Sequence, residues 1–348
     1  MMNYYKIASA LTITVSLSLT LLTGCEDNGT SRQTYQLRLA AAVSDSDVQA
    51  ELLKQFKKYV EKHSEGKLEV RLFFSGSLGS DTEILQKTQM GVIQACNIST
   101  SNAGIAIKGF RVFDLPYIFN SPDDNQVLFY DETGRFGGPI TQRLQEQASD
   151  KDLHILWVTP IIFRAAVMRK NIVKTPADFA GVKMRTSASS LERAIVSSFG
   201  ANPVPMGASE VYTALQQGTI DGEGFPLTAL LSFKHYEAAK KISDVNFQGF
   251  GTIVLLNNNF HKSLPTELQK IIEDAATTVI GQAGTLFQTA YENAIEKLKS
   301  LGCEYYELNP QEKDQFRAAS QNIINAEREN IGKDWISLVR DRIGKSRE

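Results

Sequence analysis

From residue 35 onward, apolar residues recur alternately with a period of two and a spacing of three to four, and this alternation constrains the fold more than any other feature of the chain. Residues 35–42 read as a strand. Ser46 or Asp47 can cap a helix whose apolar positions Val48, Leu52, Leu53, Phe56 and Val60 share one face, with Gly66 ending it. Residues 67–74 alternate as a second strand, residues 76–80 turn, a capped helix runs from Asp81 to Met90, and residues 92–98 give a third strand. Two β-α-β steps in succession predict a parallel α/β sheet covered by helices.

A second series follows the first. Strands are expected over 153–159, 165–169, 183–186, 201–205 and 219–223, with helices over 189–199 and 209–216 and another beginning at Pro226 in its favoured first-turn position. Between Pro265 and Ser300 the apolar positions keep helical spacing without a proline. One helix of about 35 residues would reach roughly 50 Å and could brace two lobes. Two helices broken near Gly281–Gly284 fit the same pattern. A chain of 348 residues, 42% of them hydrophobic, has room for about two domains.

The first residues have a different character. Lys6 precedes an uncharged apolar run over residues 7–22. As a helix that run would reach roughly 24 Å, short of the ~30 Å hydrocarbon core, so it reads as a secretory signal rather than a span. It ends Leu22-Thr23-Gly24-Cys25, which resembles the bacterial lipobox. The resemblance implies cleavage before Cys25 and diacylglycerol on its sulfur; ordinary cleavage near Gly24, with Cys25 a bystander thiol, is the alternative. Residues 25–34 are polar and suit a tether. Acyl chains would then hold a globular body at a membrane surface outside the cytoplasm.

Charge and motifs exclude several functions. With 37 Lys+Arg against 39 Asp+Glu, the chain has no basic excess for nucleic acid. Three cysteines (Cys25, Cys96, Cys303) cannot make a disulfide framework, and Cys96 and Cys303 sit in apolar contexts that suit buried inert thiols. His63, His154, His235 and His261 share no metal-binding sequence spacing, so neither a metal nor a cofactor is expected. Nucleophile-elbow, P-loop, dinucleotide and zincin motifs are absent from the sequence, so no enzymatic activity is expected. What remains is cations where strands begin or end. Arg164 stands at a strand entry and Arg185 at a strand end, and a guanidinium fork suits a carboxylate. A surface or lobe-stitching role is the alternative for either.

Eight segments in order give the chain a family likeness: residues 66–70 (GKLEV), 77–85 (SLGSDTEIL), 113–117 (FDLPY), 176–185 (PADFAGVKMR), 200–206 (GANPVPM), 209–216 (SEVYTALQ), Asp221-Gly222 with Pro226, and 263–269 (SLPTELQ). From about Tyr35 to Asn309 the chain resembles the substrate-binding proteins of tripartite ATP-independent periplasmic (TRAP) transporters of the C4-dicarboxylate-binding type. The resemblance implies an α/β, two-lobed periplasmic-binding-protein-like fold with a long helix spanning both lobes, closing on a small organic acid for delivery to TRAP membrane subunits. The implied division is a signal over 1–24, a tether over 25–34, lobe one over 35–160 with about 250–285 returning to it, and lobe two over 161–249 with about 286–345 packing on it. By the same resemblance Arg185 clamps the carboxylate, Arg164 assists, and Ser99, Thr100 and Asn102, with Ser101 as a further candidate, supply polar contacts. Glu223-Gly224-Phe225 departs from the family's usual order, which points to Glu223 and Phe225 at the ligand, Phe225 against a flat or apolar flank. Turned into the lobe core instead, Phe225 would leave Gly224 merely to accommodate it. A periplasmic or cell-surface lipoprotein is implied; one serving a sensor or another transporter type is the alternative.

Overall fold

β1 (Tyr35–Ala41) turns Leu37 and Leu39 to one face and Ala40 to the other, so both faces of its sheet must be covered. α1 (Val48–His63) supplies one cover. Asp47 caps it by accepting from Gln49 N at 3.0 Å, and its buried stripe is Leu52, Leu53, Phe56 and Val60. β2 (Leu68–Phe73), α2 (Asp81–Gln89) and β3 (Ala95–Ser99) complete the two expected β-α-β steps. The computed structural model describes residues 33–119, 126–131, 133 and 135–345; the expected signal, Cys25 and all but the end of the tether lie outside them.

The chain then forms α3 (Thr100–Ala103), a 3-10 segment (Lys108–Asp114), α4 (Gln126–Phe129), α5 (Pro139–Ser149) and β4 (Leu153–Val158). It crosses through β5 (Ile162–Phe163) into a second sheet. That lobe holds β6 (Ala165–Met168), β7 (Lys183–Thr186), α6 (Ser190–Ser198), β8 (Asn202–Pro205), α7 (Ala208–Gln217), β9 (Gly222–Phe225), α8 (Leu227–Ser232) and β10 (Lys241–Ser243). β11 (Gly249–Phe250) pairs antiparallel with β5, and β12 (Thr252–Asn257) re-enters the first sheet. α9 (Asn258–Ser263), α10 (Thr266–Ile280), α11 (Ala283–Ser300), β13 (Glu304–Tyr306), α12 (Pro310–Ile331) and α13 (Lys333–Lys345) finish the fold.

The sheet orders are β2-β1-β3-β12-β4 and β13-β10-β6-β9-β7-β8. Both are mixed, where the strand–helix alternation predicted parallel. β12 lies antiparallel between β3 and β4, and β6 antiparallel between β9 and β10. Val254 and Leu256 face the α1–α10 core while Ile253 and Leu255 face the opposite one, the period-two signature of a strand buried on both sides. A register shift between Val254 and Leu255 inserts Leu156 as an extra residue in β4, so Leu156 and Trp157 both join the α1 side.

The stretch 265–300 is two helices, broken at Gly281–Gln282. Of these two helices α11 bridges the lobes. Its Phe287 packs in the core of lobe one, and its Ala294 and Leu298 pack in the core of lobe two. α12 packs on lobe two, its Phe316 edge-on to Phe179 and Phe199, whereas the last helix departs from the expected packing there. α13 lies against lobe one, with Arg143 of α5 paired to Asp334 at 2.6 Å and lying over the Trp335 ring at 4.5 Å. Gly109 has no side chain because Trp335 fills that space: a Cβ there would stand 2.8 Å from the indole. Among the described residues no helix is long and apolar enough to cross a membrane.

Candidate functional site

β1, β2 and β3 run parallel, as do β7, β8 and β9, so each lobe gathers strand carboxyl ends on one edge. Those edges face each other, the place where open α/β sheets take ligands. Between them lies a cavity of about 640 Å³, a size suited to a small molecule. The lobes touch around it: Ser232 Oγ donates to Asp47 Oδ2 at 3.1 Å, and Arg111 Nη1 donates to Ser190 Oγ at 3.1 Å. A second cavity, about 770 Å³, lies between residues 160–163 and α11 and has no charged side chain in its lining.

Lobe one contributes a preset polar wall. The Asp81 carboxylate, at the first turn of α2, accepts at 2.9 Å from Ser99 N, Ser99 Oγ and Asn102 Nδ2 through a single oxygen. That fixes Ser99 and Asn102 where β3 ends, and both line the cavity. Thr100 does not reach it. Its hydroxyl donates back to Gly251 O at 3.3 Å, because the chain has already turned into α3. Ser101 likewise turns away and donates to Asp114 at 2.9 Å.

Lobe two contributes the cations. Arg185 is 4% exposed, and both of its hydrogen bonds, from Nε at 3.2 Å and Nη2 at 3.0 Å, go to Met206 O. Its guanidinium sits 5.6 Å from the Phe225 ring centre. Burial holds its pKa below the ordinary arginine value, against the pull of Glu192 and Glu223. Arg164 also lines the cavity, but its guanidinium is largely committed: Nη1 to Gly224 O at 3.0 Å, Nη2 to Ser101 Oγ at 3.4 Å, and Glu192 at 3.6 Å.

Register decides the fate of the Glu-Gly-Phe segment. Glu223 and Phe225 are two apart on β9 and share the face that carries His235. Glu223 is fully buried and accepts from His235 Nδ1 at 2.8 Å, so it stands behind the cavity rather than on its wall. Phe225 does both things the sequence allowed. It packs in the lobe core against Phe233 and His235, and it lines the cavity beside Arg185. Gly224 accommodates Phe247 instead, since a Cβ there would lie 2.6 Å from that ring.

Gln49, Asp81, Asn97, Ser187, Phe233, Phe250 and Thr252, none of them a site residue expected from the sequence, also line the cavity. Four lining side chains bury a polar atom that has no hydrogen-bond partner: Gln49 Oε1, Asn97 Nδ2, Asn102 Oδ1 and Arg164 Nε. Each such atom costs about 1–3 kcal/mol until something bonds it. Gln49 left one signal in the sequence, a polar residue beside the apolar stripe of α1. Cys96 is buried with its thiol pushed up to about 12, and Cys303 is buried too, which leaves both unreactive.

Behind Arg164 lies Asp114, 1% exposed, whose carboxyl burial pushes up to about 7 against the pull of Arg164 and the bond from Ser101. Between its ordinary 3.8 and about 7 the folded chain keeps a proton that the unfolded chain releases, so this group's contribution to stability falls as pH rises through that window. Asp114→Asn removes the titration. Its unfolding free energy, measured by urea denaturation, is expected to move in the variant's favour relative to wild type between pH 5 and pH 8; an unchanged difference sinks the assignment.

Two facing α/β lobes, two crossing strands, a bridging helix and one cation-lined cleft define an extracytoplasmic solute-binding protein. The chain matches the DctP family, bacterial extracellular solute-binding protein family 7, over residues 39–330 and belongs to it. It is 30% identical over 270 residues to the ectoine-binding periplasmic protein TeaA of Halomonas elongata, covering 78% of this chain and 74% of that one. Identity to the C4-dicarboxylate-binding periplasmic protein DctP of Rhodobacter capsulatus is 28% over 292 residues, 82% and 84% of the two chains. Among solved structures, a TRAP periplasmic solute-binding protein from Sulfurospirillum deleyianum with bound succinate aligns with a TM-score of 0.81 at 27% identity, covering 88% of this chain and 98% of that one. The sugar acid binding protein DctPAm from Advenella mimigardefordensis, in complex with galactonate, shares the fold with a TM-score of 0.84 at 24% identity, over 90% and 99% of the chains. The protein is therefore a solute-binding component of a TRAP transporter. Members of this family are periplasmic and work with TRAP membrane components.

Proposed function

We propose that the cleft captures a small organic carboxylate on Arg185, closes over it without altering it, and carries it to the membrane subunits. One observation carries this reading. Arg185 is a buried cation on the cavity wall whose own hydrogen bonds reach only a carbonyl, and no described carboxylate lies within ion-pair distance of it. A guest carboxylate supplies the missing anion, and the gain grows as closure removes water. Arg164, already matched by Glu192, positions the wall and offers Nε. Phe225 and Phe250 offer flat apolar faces, while Ser99, Asn97, Asn102 and Gln49 suit hydroxyl or amine groups on the remainder of the guest.

Names of relatives point the same way: they bind ectoine, C4-dicarboxylates and 2,3-diketo-L-gulonate, and two of the solved structures hold succinate and galactonate. The sequence Leu22-Thr23-Gly24-Cys25 supports a mature chain lipidated at Cys25 and held at the membrane surface beside its partners.

A thermal-shift screen of C4-dicarboxylates, sugar acids and ectoine tests the reading. At 100-fold excess over its Kd the right acid adds about 2.7 kcal/mol to the folded state. Mass spectrometry should recover that acid unchanged after incubation. A screen in which no carboxylate raises the melting temperature would overturn the proposal, as would turnover of the bound acid.

A further inference from the structure

Far from the cleft, three metal-ligating side chains from separate elements converge on lobe one. His154 lies at the start of β4, His261 in α9 and Glu273 in α10. His154 Nε2 is 2.8 Å from Glu273 Oε1, and His261 Nε2 is 3.4 Å from the same oxygen. The two imidazoles stack at 4.4 Å with planes 9° apart. One donor atom from each of the three residues lies within 4.8 Å of the others.

We propose that His154, His261 and Glu273 form a zinc site, with water in the fourth position. Tetrahedral zinc with bonds of 2.0–2.1 Å sets its donors about 3.3 Å apart. The His261–Glu273 separation already meets that spacing, and the His154–Glu273 separation needs to open by only a few tenths of an ångström. Glu273, whose side chain is 43% exposed, can provide that movement, and the imidazoles, stacked with planes 9° apart, turn about their side-chain torsions to point both nitrogens at one ion. His261 Nε2 is buried and makes no hydrogen bond, and the carboxylate oxygen it faces, Glu273 Oε1, stands 3.4 Å away inside the cluster. Two imidazoles and a carboxylate suit zinc and discriminate against magnesium and calcium, which take all-oxygen shells.

The site is remote from the carboxylate cleft. His154 pairs with Leu256, whereas Val158, at the other end of β4, pairs with Ile253 toward the cleft edge. Four residues of strand separate them, roughly 13 Å. A metal here pins α9 and α10 to the edge strand β4, and it does so whether or not the cleft is filled.

The test is calorimetric titration of zinc chloride into protein purified without a polyhistidine tag, together with cobalt(II) absorption spectra. One zinc per chain is expected to bind with micromolar Kd and raise the melting temperature, and cobalt should show the strong visible bands of a tetrahedral site. His154→Gln, His261→Gln and Glu273→Gln should each weaken zinc binding at least tenfold, and His63→Gln should leave it unchanged. Organic-acid affinity should be the same in all four variants, which separates this test from that of the cleft. Zinc binding that is absent, that survives all three substitutions, that is lost in His63→Gln, or that magnesium matches overturns the proposal. Should a variant fail to fold, the cobalt spectrum of the wild-type protein decides alone: octahedral-weak bands reject the site.

Discussion

Arg185→Ala is expected to weaken binding of the transported carboxylate by about 30-fold to several thousand-fold, the equivalent of roughly 2–5 kcal/mol for truncating one partner of a buried charge pair. The size follows from the surroundings of the guanidinium. It is 4% exposed, its bonds end on the Met206 carbonyl, and burial is the largest influence on its pKa. The cleft therefore holds a cation short of anionic partners, and a carboxylate entering it gains more than it would in water. Glu192 and Glu223 temper the cost, but both are already engaged, with Ser187 and His235 respectively. Arg185→Lys should recover only part of the loss, since an ammonium cannot hold Met206 O and grip a carboxylate with the same planar fork. Titration calorimetry gives the affinity, and the melting temperature of ligand-free protein shows whether the variant still folds. A folded Arg185→Ala within twofold of wild type would remove Arg185 from the site.

Much of this was legible in the sequence, and the parts that were not share a physical cause. The first two β-α-β steps were readable because caps, apolar spacing and terminating glycines all act within a few residues of one another. β12 was not. Its six residues are buried on both faces, and its place in the middle of the first sheet is set by partners about 100 to 160 positions earlier in the chain. Arg185 was readable because a cation at the end of a short strand is a local pattern. The facing wall draws on the first turns of α1 and α2 and on β3 and β11–β12, so Gln49, Asp81, Asn97 and Phe250 meet only once the chain has folded. Glu223 shows the opposite failure. Position in a motif placed it at the ligand, whereas it lies two residues further back on β9 than Phe225, where His235 covers it. The histidines had no common spacing in sequence, yet β4, α9 and α10 bring His154 and His261 into a stack.

The largest stability effect is expected from Glu192→Ala. Glu192 is fully buried on α6; one of its oxygens accepts from Ser187 N at 3.1 Å and Ser187 Oγ at 2.5 Å and lies 3.6 Å from Arg164 Nη2. Removing it strands Arg164, itself 1% exposed, and breaking a buried pair from one side costs about 3–5 kcal/mol. The double variant Glu192→Ala/Arg164→Met should recover much of that loss, because it removes the stranded charge rather than the pair's attraction alone. Asp114 makes the prediction sharper. It is held near 7 partly by repulsion from Glu192, so without that neighbour its carboxyl should ionise at lower pH and take over as counter-ion to Arg164. The destabilisation should then be greatest near pH 5, where Asp114 keeps more of its proton, and smaller at pH 8, where it is ionised. Urea unfolding of the two variants at both pH values measures this. If Glu192→Ala costs under about 1 kcal/mol at pH 5, Arg164 is not dependent on Glu192. It would then be free to share the guest's carboxylate with Arg185, and the division of labour between the two arginines would have to be redrawn.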